Sequence, residues 1–259
     1  MRKIISIGAV VLGVFFCIGI AQAEDAEKIM KKIEDTYKNI NSFQADFLME
    51  QGSEEEKLEG KGKIWWKKEG KFKTEMEMVT PISGEKGKTE ETPTKQKQTI
   101  VFDGKVFWVY SNVNNQSQVM RLDSTKLDEL SDSDPIKKQG ENLMGQFKEA
   151  PSSLFSPSSF IGKEVEEVSE EEWEGEDFYV LKEEQTGVWV KKENYLMYRI
   201  ITRDEESNII SHIEFSDIKV NKDIPDELFT FEVPEGVQVM DIMDMLKAMY
   251  KEPEIKEIK

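Results

Sequence analysis

The chain contains one imidazole, His212, and that residue is the first to test for chemistry. In its segment His212 alternates onto the side of Glu214 and Ser216, opposite Ile209, Ile213 and Phe215, which is the wetted side of a strand. A catalytic base needs a nucleophile to activate and a third group to orient it, and no Gly-x-Ser-x-Gly turn occurs. His212 therefore reads as a surface residue. Carboxylates are too numerous to single out a pair of the kind glycoside hydrolysis requires. Asp123, Asp128, Glu129, Asp132 and Asp134 could attract a hard cation, but they lack the glycine and the fixed spacing of a calcium loop. The run from Glu164 to Asp177 holds nine acids in fourteen residues and reads as a solvated hairpin rim. No enzyme activity, metal or cofactor is expected.

Composition narrows the field further. The chain has 259 residues, 52 acidic against 35 basic, a net charge of −17 and one cysteine. Such a surplus of acid repels phosphate backbones, so nucleic acid is not an expected partner. One cysteine and one histidine exclude a disulfide framework and a thiolate or imidazole metal cluster. With 38% apolar and 10% aromatic residues, the chain can still pack a core.

Arg2 and Lys3 precede an apolar run from Ile4 to Ile20, and Ala21-Gln22-Ala23 follows with small residues at the two positions a signal peptidase reads. Residues 1–23 are expected to be a cleaved secretory signal, with the mature protein in the periplasm. Cleavage would remove Cys17 and make the net charge −19. Residues 24–241 are expected to form one domain, and 242–259 a terminal amphipathic helix and charged tail.

Apolar residues at Ala26, Ile29, Met30, Ile33, Tyr37 and Ile40 predict an amphipathic helix from Asp25 to Asn41. After Ser42 the period changes to two, with Phe43, Ala45, Phe47 and Met49 on one side of a strand. Strands are then predicted at 58–67, 71–78, 98–102, 105–110, 116–122, 163–168, 177–182, 188–192, 196–203 and 209–220. Pro81 to Lys97 reads as a polar loop, and weak helices are expected near 125–130 and 141–148. Asp103-Gly104 signals a tight hairpin, which puts Val101 on one face with Val106, Trp108 and Tyr110 and leaves Ile100, Phe102, Phe107 and Val109 on the other. Val239 to Tyr250 reads as a helix with Ile242, Met245, Leu246, Met249 and Tyr250 on one stripe. About eleven strands at hairpin spacing predict a mainly β (α+β) fold, a single curved antiparallel sheet forming an unclosed barrel with helices as a lid.

The apolar content offers two readings. Phe47, Trp66, Phe72, Met76, Val101, Trp108 and Tyr110 are either ordinary core or the lining of a partly filled, greasy cavity. Leu143, Phe147, Leu154, Phe155, Phe160 and Ile161 lie on a Ser/Pro-rich stretch and are suited to plug such a cavity as a lid. Met243, Met245 and Met249 suit either a variable ligand surface or a plain packing helix.

Three segments taken in order, Gly60 to Lys68, Ile100 to Tyr110 and Leu228 to Val239, resemble the periplasmic outer-membrane lipoprotein carriers, the LolA-like family. The resemblance implies an unclosed barrel that holds the acyl chains of lipoproteins or lipids beneath a helical lid. It also implies an inner-membrane ABC transporter as donor and an outer-membrane acceptor, with the carrier a monomer. Lys68 falls where the carriers have an arginine that hydrogen-bonds to the lid, and Phe72 matches a cavity-side aromatic. Relatives on this scaffold include periplasmic sensors, so a regulatory domain that recognises mislocalised lipoproteins or lipids is the alternative expectation.

Overall fold

The computed structural model describes residues 26–53, 57–68, 70–80, 93–142, 156–161 and 165–250. The predicted signal sequence, the stretch 81–92 and the tail after Tyr250 lie outside the described residues. A helix, α1, covers 26–38. Twelve strands follow: β1 (Ser42–Gly52), β2 (Lys57–Lys67), β3 (Lys71–Thr80), β4 (Thr94–Phe102), β5 (Val106–Val113), β6 (Gln116–Asp123), β7 (Glu167–Trp173), β8 (Glu176–Glu183), β9 (Thr186–Lys191), β10 (Met197–Arg203), β11 (Ile209–Val220) and β12 (Val239–Asp241). Short helices α2 (Ser124–Asp128) and α3 (135–142) follow β6, and α4 (Ile242–Tyr250) follows β12.

All twelve strands form one curved sheet in the order β12-β6-β5-β4-β3-β2-β1-β11-β10-β9-β8-β7. Every pairing is antiparallel except β12 against β6. Two hairpin stacks, β1–β6 and β7–β11, therefore meet along one seam, β1 against β11, and the two end strands do not pair with each other among the described residues.

The period-two pattern of the sequence sorts each strand into an inner and an outer face. Ile33 and Ile40, from α1 and the turn after it, are buried with Phe43, Ile64, Phe72, Phe102, Phe107 and Leu122 of the first stack and Leu181, Val188, Val190 and Ile200 of the second. That side is the inner face. α1 is tied down by polar contacts as well: the Tyr37 hydroxyl accepts from the Met197 N–H at 3.1 Å, and the Asn41 N–H donates to the Asn221 side chain at 2.7 Å. Burial pushes the Tyr37 hydroxyl well above its ordinary pKa.

The outer face is covered in two places. After β11 the chain crosses back over the first stack as a strap. Asp226 pairs with Lys67 at 2.7 Å and with Lys71 at 2.5 Å, Phe229 is buried, and the Phe231 ring lies 5.3 Å from Trp108 and 6.4 Å from Tyr110. The strap ends by adding β12 beside β6. On the second stack, Phe178, Val180, Trp189 and Ile201 form a separate cluster with Trp173 and Tyr198. The Arg199 guanidinium lies 4.9 Å from the Trp173 ring and 5.3 Å from the Trp189 ring, a double cation–π contact.

Several expectations need correction. Residues 94–97 belong to β4 rather than to a loop. At the Asp103-Gly104 turn, the Asp103 carboxylate accepts from the N–H groups of Lys105 and Val106, each at 2.7 Å, while Gly104 alone takes positive φ. Phe102 consequently pairs with Phe107, two residues beyond the register of a two-residue turn. The shift is even, so the predicted division of faces survives. The terminal helix starts only at Ile242, after β12, and it buries Met243 and Leu246 while Met245, Met249 and Tyr250 are exposed.

Candidate functional site

Cross-strand register lines up the inner face of the first stack in rows. One row reads Phe43, Trp66, Phe72, Phe102, Phe107, Leu122 from β1 to β6. Apart from the half-buried Trp66, its members are no more than 4% exposed, so this end of the face is filled. Four residues further along each strand, another row reads Phe47, Gly62, Met76, Gln98, Ser111, Gln118. The next reads Met49, Gly60, Met78, Gln96, Val113, Gln116. Phe47, Met49, Met76 and Met78 are only half-buried, and the face is open here.

Gly62 makes the open end possible. A Cβ there would stand 2.3 Å from the Glu75 carbonyl oxygen and 2.7 Å from the Phe47 ring, so only glycine lets Phe47 lie flat across β2. At the same level a groove of about 560 Å³ crosses β1–β4 on the outer face, lined mainly by the charged residues Asp46, Lys61, Lys63, Glu75, Glu77 and Lys97, with the row of Phe47, Gly62, Met76 and Gln98 running between them.

The inward positions of β1–β6 include no charged residue, in a chain that is 34% charged. Lys61, Lys63, Lys95, Lys97, Glu59, Glu75 and Glu77 all alternate outward. Their ion pairs, such as Lys97 to Glu77 at 2.7 Å and Lys63 to Asp46 at 3.2 Å, lie on the far side of the sheet.

Of the residues expected to line a cavity, Phe47, Trp66, Phe72 and Met76 do share the inner face. Val101, Trp108 and Tyr110 occupy the outer face, where Val101 pairs with Lys73 and with Trp108, and where the strap covers them. Phe72 is inner but belongs to the filled row. Lys68 sits in the β2–β3 turn with its side chain exposed, and its N–H donates to the Asn41 carbonyl at 2.9 Å. Of the lid residues, Ile161 is fully buried in the core and Phe160 packs against it. Leu143, Phe147, Leu154 and Phe155 lie outside the described residues.

Sequence reading misses the polar continuation of the open rows, Gln96, Gln98, Ser111 and Gln118. The signal is present, since Gln96 and Gln98 stand in phase with Ile100 and Phe102, but the stretch before Gln98 is polar enough to read as loop. His212 lies on the outer face as expected. Arg199 Nε donates to its Nε2 at 3.2 Å, and its Nδ1 lies 3.6 Å from Glu50. Glu50 is held below the ordinary carboxylate range, first by its hydrogen bond to Lys57 and then by His212. These contacts tie β1, β10 and β11 together on the side away from the open rows.

The family described as "Predicted periplasmic protein (DUF2092)" matches residues 26–243. An uncharacterised protein of Methanocaldococcus jannaschii is 25% identical over 237 residues, covering 89% of this chain but only 58% of its own length. Among solved structures, an uncharacterised conserved protein from Thermus thermophilus aligns with a TM-score of 0.45 at 13% identity, over 84% of this chain and 99% of that one. The LolA superfamily protein NE2245 from Nitrosomonas europaea aligns with a TM-score of 0.30 at 15% identity, over 81% and 98%.

Proposed function

The chain belongs to the family described as predicted periplasmic proteins, DUF2092, and from that premise we propose that it is a non-catalytic carrier that shields acyl chains of lipoproteins or lipids from water. The observation that carries the reading is the uncharged inner face of β1–β6, filled at one end and half-open at the other. A purely structural sheet face would be covered along its whole length, because exposed apolar area is unfavourable in water.

Each acyl CH₂ withdrawn from water contributes about 0.8 kcal/mol, so binding a long chain has ample driving force and the difficult step is release. Competition supplies it. Apolar residues of the protein can cover the open rows when cargo leaves, and the stretch running up to Ile161 is suited to this because Ile161 is anchored in the core with Phe160 packed against it. Phe47, Met49, Met76 and Met78 form the contact surface, three of them flexible thioethers that adapt to chains of different shape. In this reading cargo arrives from an inner-membrane donor and leaves to an outer-membrane acceptor.

The test is uptake of a fluorescent fatty-acyl probe by the mature protein, together with native mass spectrometry for co-purifying lipid. Met76→Glu places a charge in the open row and is expected to weaken probe binding by about tenfold or more, with the unfolding midpoint little changed because Met76 is half-exposed. Wild-type protein that takes up no probe and carries no lipid would overturn the proposal.

A further inference from the structure

The open rows are chemically divided. From β1 to β3 they hold Phe47, Met49, Met76 and Met78. From β4 onward, in the same register, they hold Gln98, Ser111 and Gln118 in one row and Gln96, Val113 and Gln116 in the other, so Val113 is the one apolar member of this half. Gln96, Gln98 and Ser111 are half-buried and neutral. The Gln96 amide donates to the Ser111 hydroxyl oxygen at 3.4 Å, which leaves the Ser111 proton free to donate elsewhere. The Gln98 amide has no protein hydrogen-bond partner among the described residues. An apolar bed therefore runs into a wall that both donates and accepts hydrogen bonds and carries no charge.

Resting on the acyl-binding reading above, we infer that this wall selects lipids whose group next to the acyl chain is uncharged and rich in hydroxyl or ester oxygens, such as a glyceryl ester or a sugar. A carboxylate or phosphate drawn onto this face would lose water without meeting a cation, which is costly. The lysines on these strands cannot supply one: Lys61, Lys95 and Lys97 point through the other side of the sheet, and Lys97 is already paired with Glu77. Ester carbonyls and hydroxyls can be met by Gln98 and Ser111 at no such cost.

Displacement of a bound pyrene-labelled fatty alcohol by three competitors with the same chain, 1-oleoylglycerol, oleyl glucoside and oleate, at pH 8 tests this. At least one neutral competitor is expected to displace the probe at about tenfold lower concentration than oleate; the order of the two separates a glyceryl ester from a sugar. Gln98→Leu, and in parallel Gln96→Leu, should narrow that gap while the alcohol probe still binds. Oleate displacing as well as the better of the two neutral lipids, or a gap unchanged in both variants, overturns the inference and leaves acyl binding standing. A protein that binds no probe overturns the acyl-binding reading itself.

Discussion

The two ends of the inner face are built from the same six strands with the same alternation, yet one is core and the other is surface. Where α1 and the turn after it lie over the sheet, large aromatics line up across β1–β5 and little space remains. Four residues further along, glycine takes the place of Ile64 and Trp66 on β2, methionine that of Phe72 on β3, and glutamine that of Ile100 and Phe102 on β4. Each change lowers the penalty for leaving the face uncovered while keeping it free of charge. Stability is thus concentrated at one end and ligand contact at the other, and a substitution should move one property or the other according to its row.

The largest effect should come from the filled end. Phe102→Ala leaves a cavity where the side chain is 1% exposed and is expected to cost about 3–5 kcal/mol in urea unfolding. Met78→Ala, on the neighbouring strand at the open end, should cost about 1 kcal/mol or less; equal losses would erase the distinction between the ends. Gly62→Val tests the junction. Its Cβ must displace both Phe47 and the β3 backbone, so about 2 kcal/mol of stability should go together with weakened acyl-probe binding. Full retention of binding would mean that Phe47 need not lie flat.

The smallest effect is expected on the outer face. Lys67 and then Lys71 draw the Asp226 carboxyl down to about 2 from an ordinary 3.8. A folded value below the unfolded one means that the strap's ion pairs contribute fully above pH 3.8 and are lost as pH falls through about 2. Asp226→Asn should therefore lower the unfolding midpoint slightly at pH 7, and the difference from wild type should close in acid. A gap that persists at pH 2 would point to a packing role for Asp226.

Strand content, the early helix and the division of faces within each hairpin are legible in the sequence, because period two and period 3.6 are local properties. Which face of one hairpin joins which face of the next is not. Trp66 and Phe72 are linked to Val101 and Trp108 through β3 and β4, which are joined by a long connection whose length fixes no register. A slip of one residue there exchanges the faces, and for this reason the sequence alone groups Val101, Trp108 and Tyr110 with a cavity from which the sheet excludes them. The amide wall is hidden for a related reason, since the start of β4 is polar on both sides and resembles a loop until its partner strands are known. The C-terminal helix shows the same limit: several stripes of α4 are apolar, and only the neighbouring strand decides that Met243 is buried and Met249 is not.

The strap also sets an order of assembly. β6 receives its last neighbour from β12, with Val119 beside Val239, and β1 receives one of its neighbours from β11, with Phe43 beside Val220. During emergence into an exported compartment the first six strands can pair among themselves, but both margins of that half-sheet stay unpaired until late segments arrive. Unpaired margins are templates for association with other chains, and closures across such sequence distances are slow. The hazard for this protein is greatest while its N-terminal half is complete and its C-terminal half is still arriving.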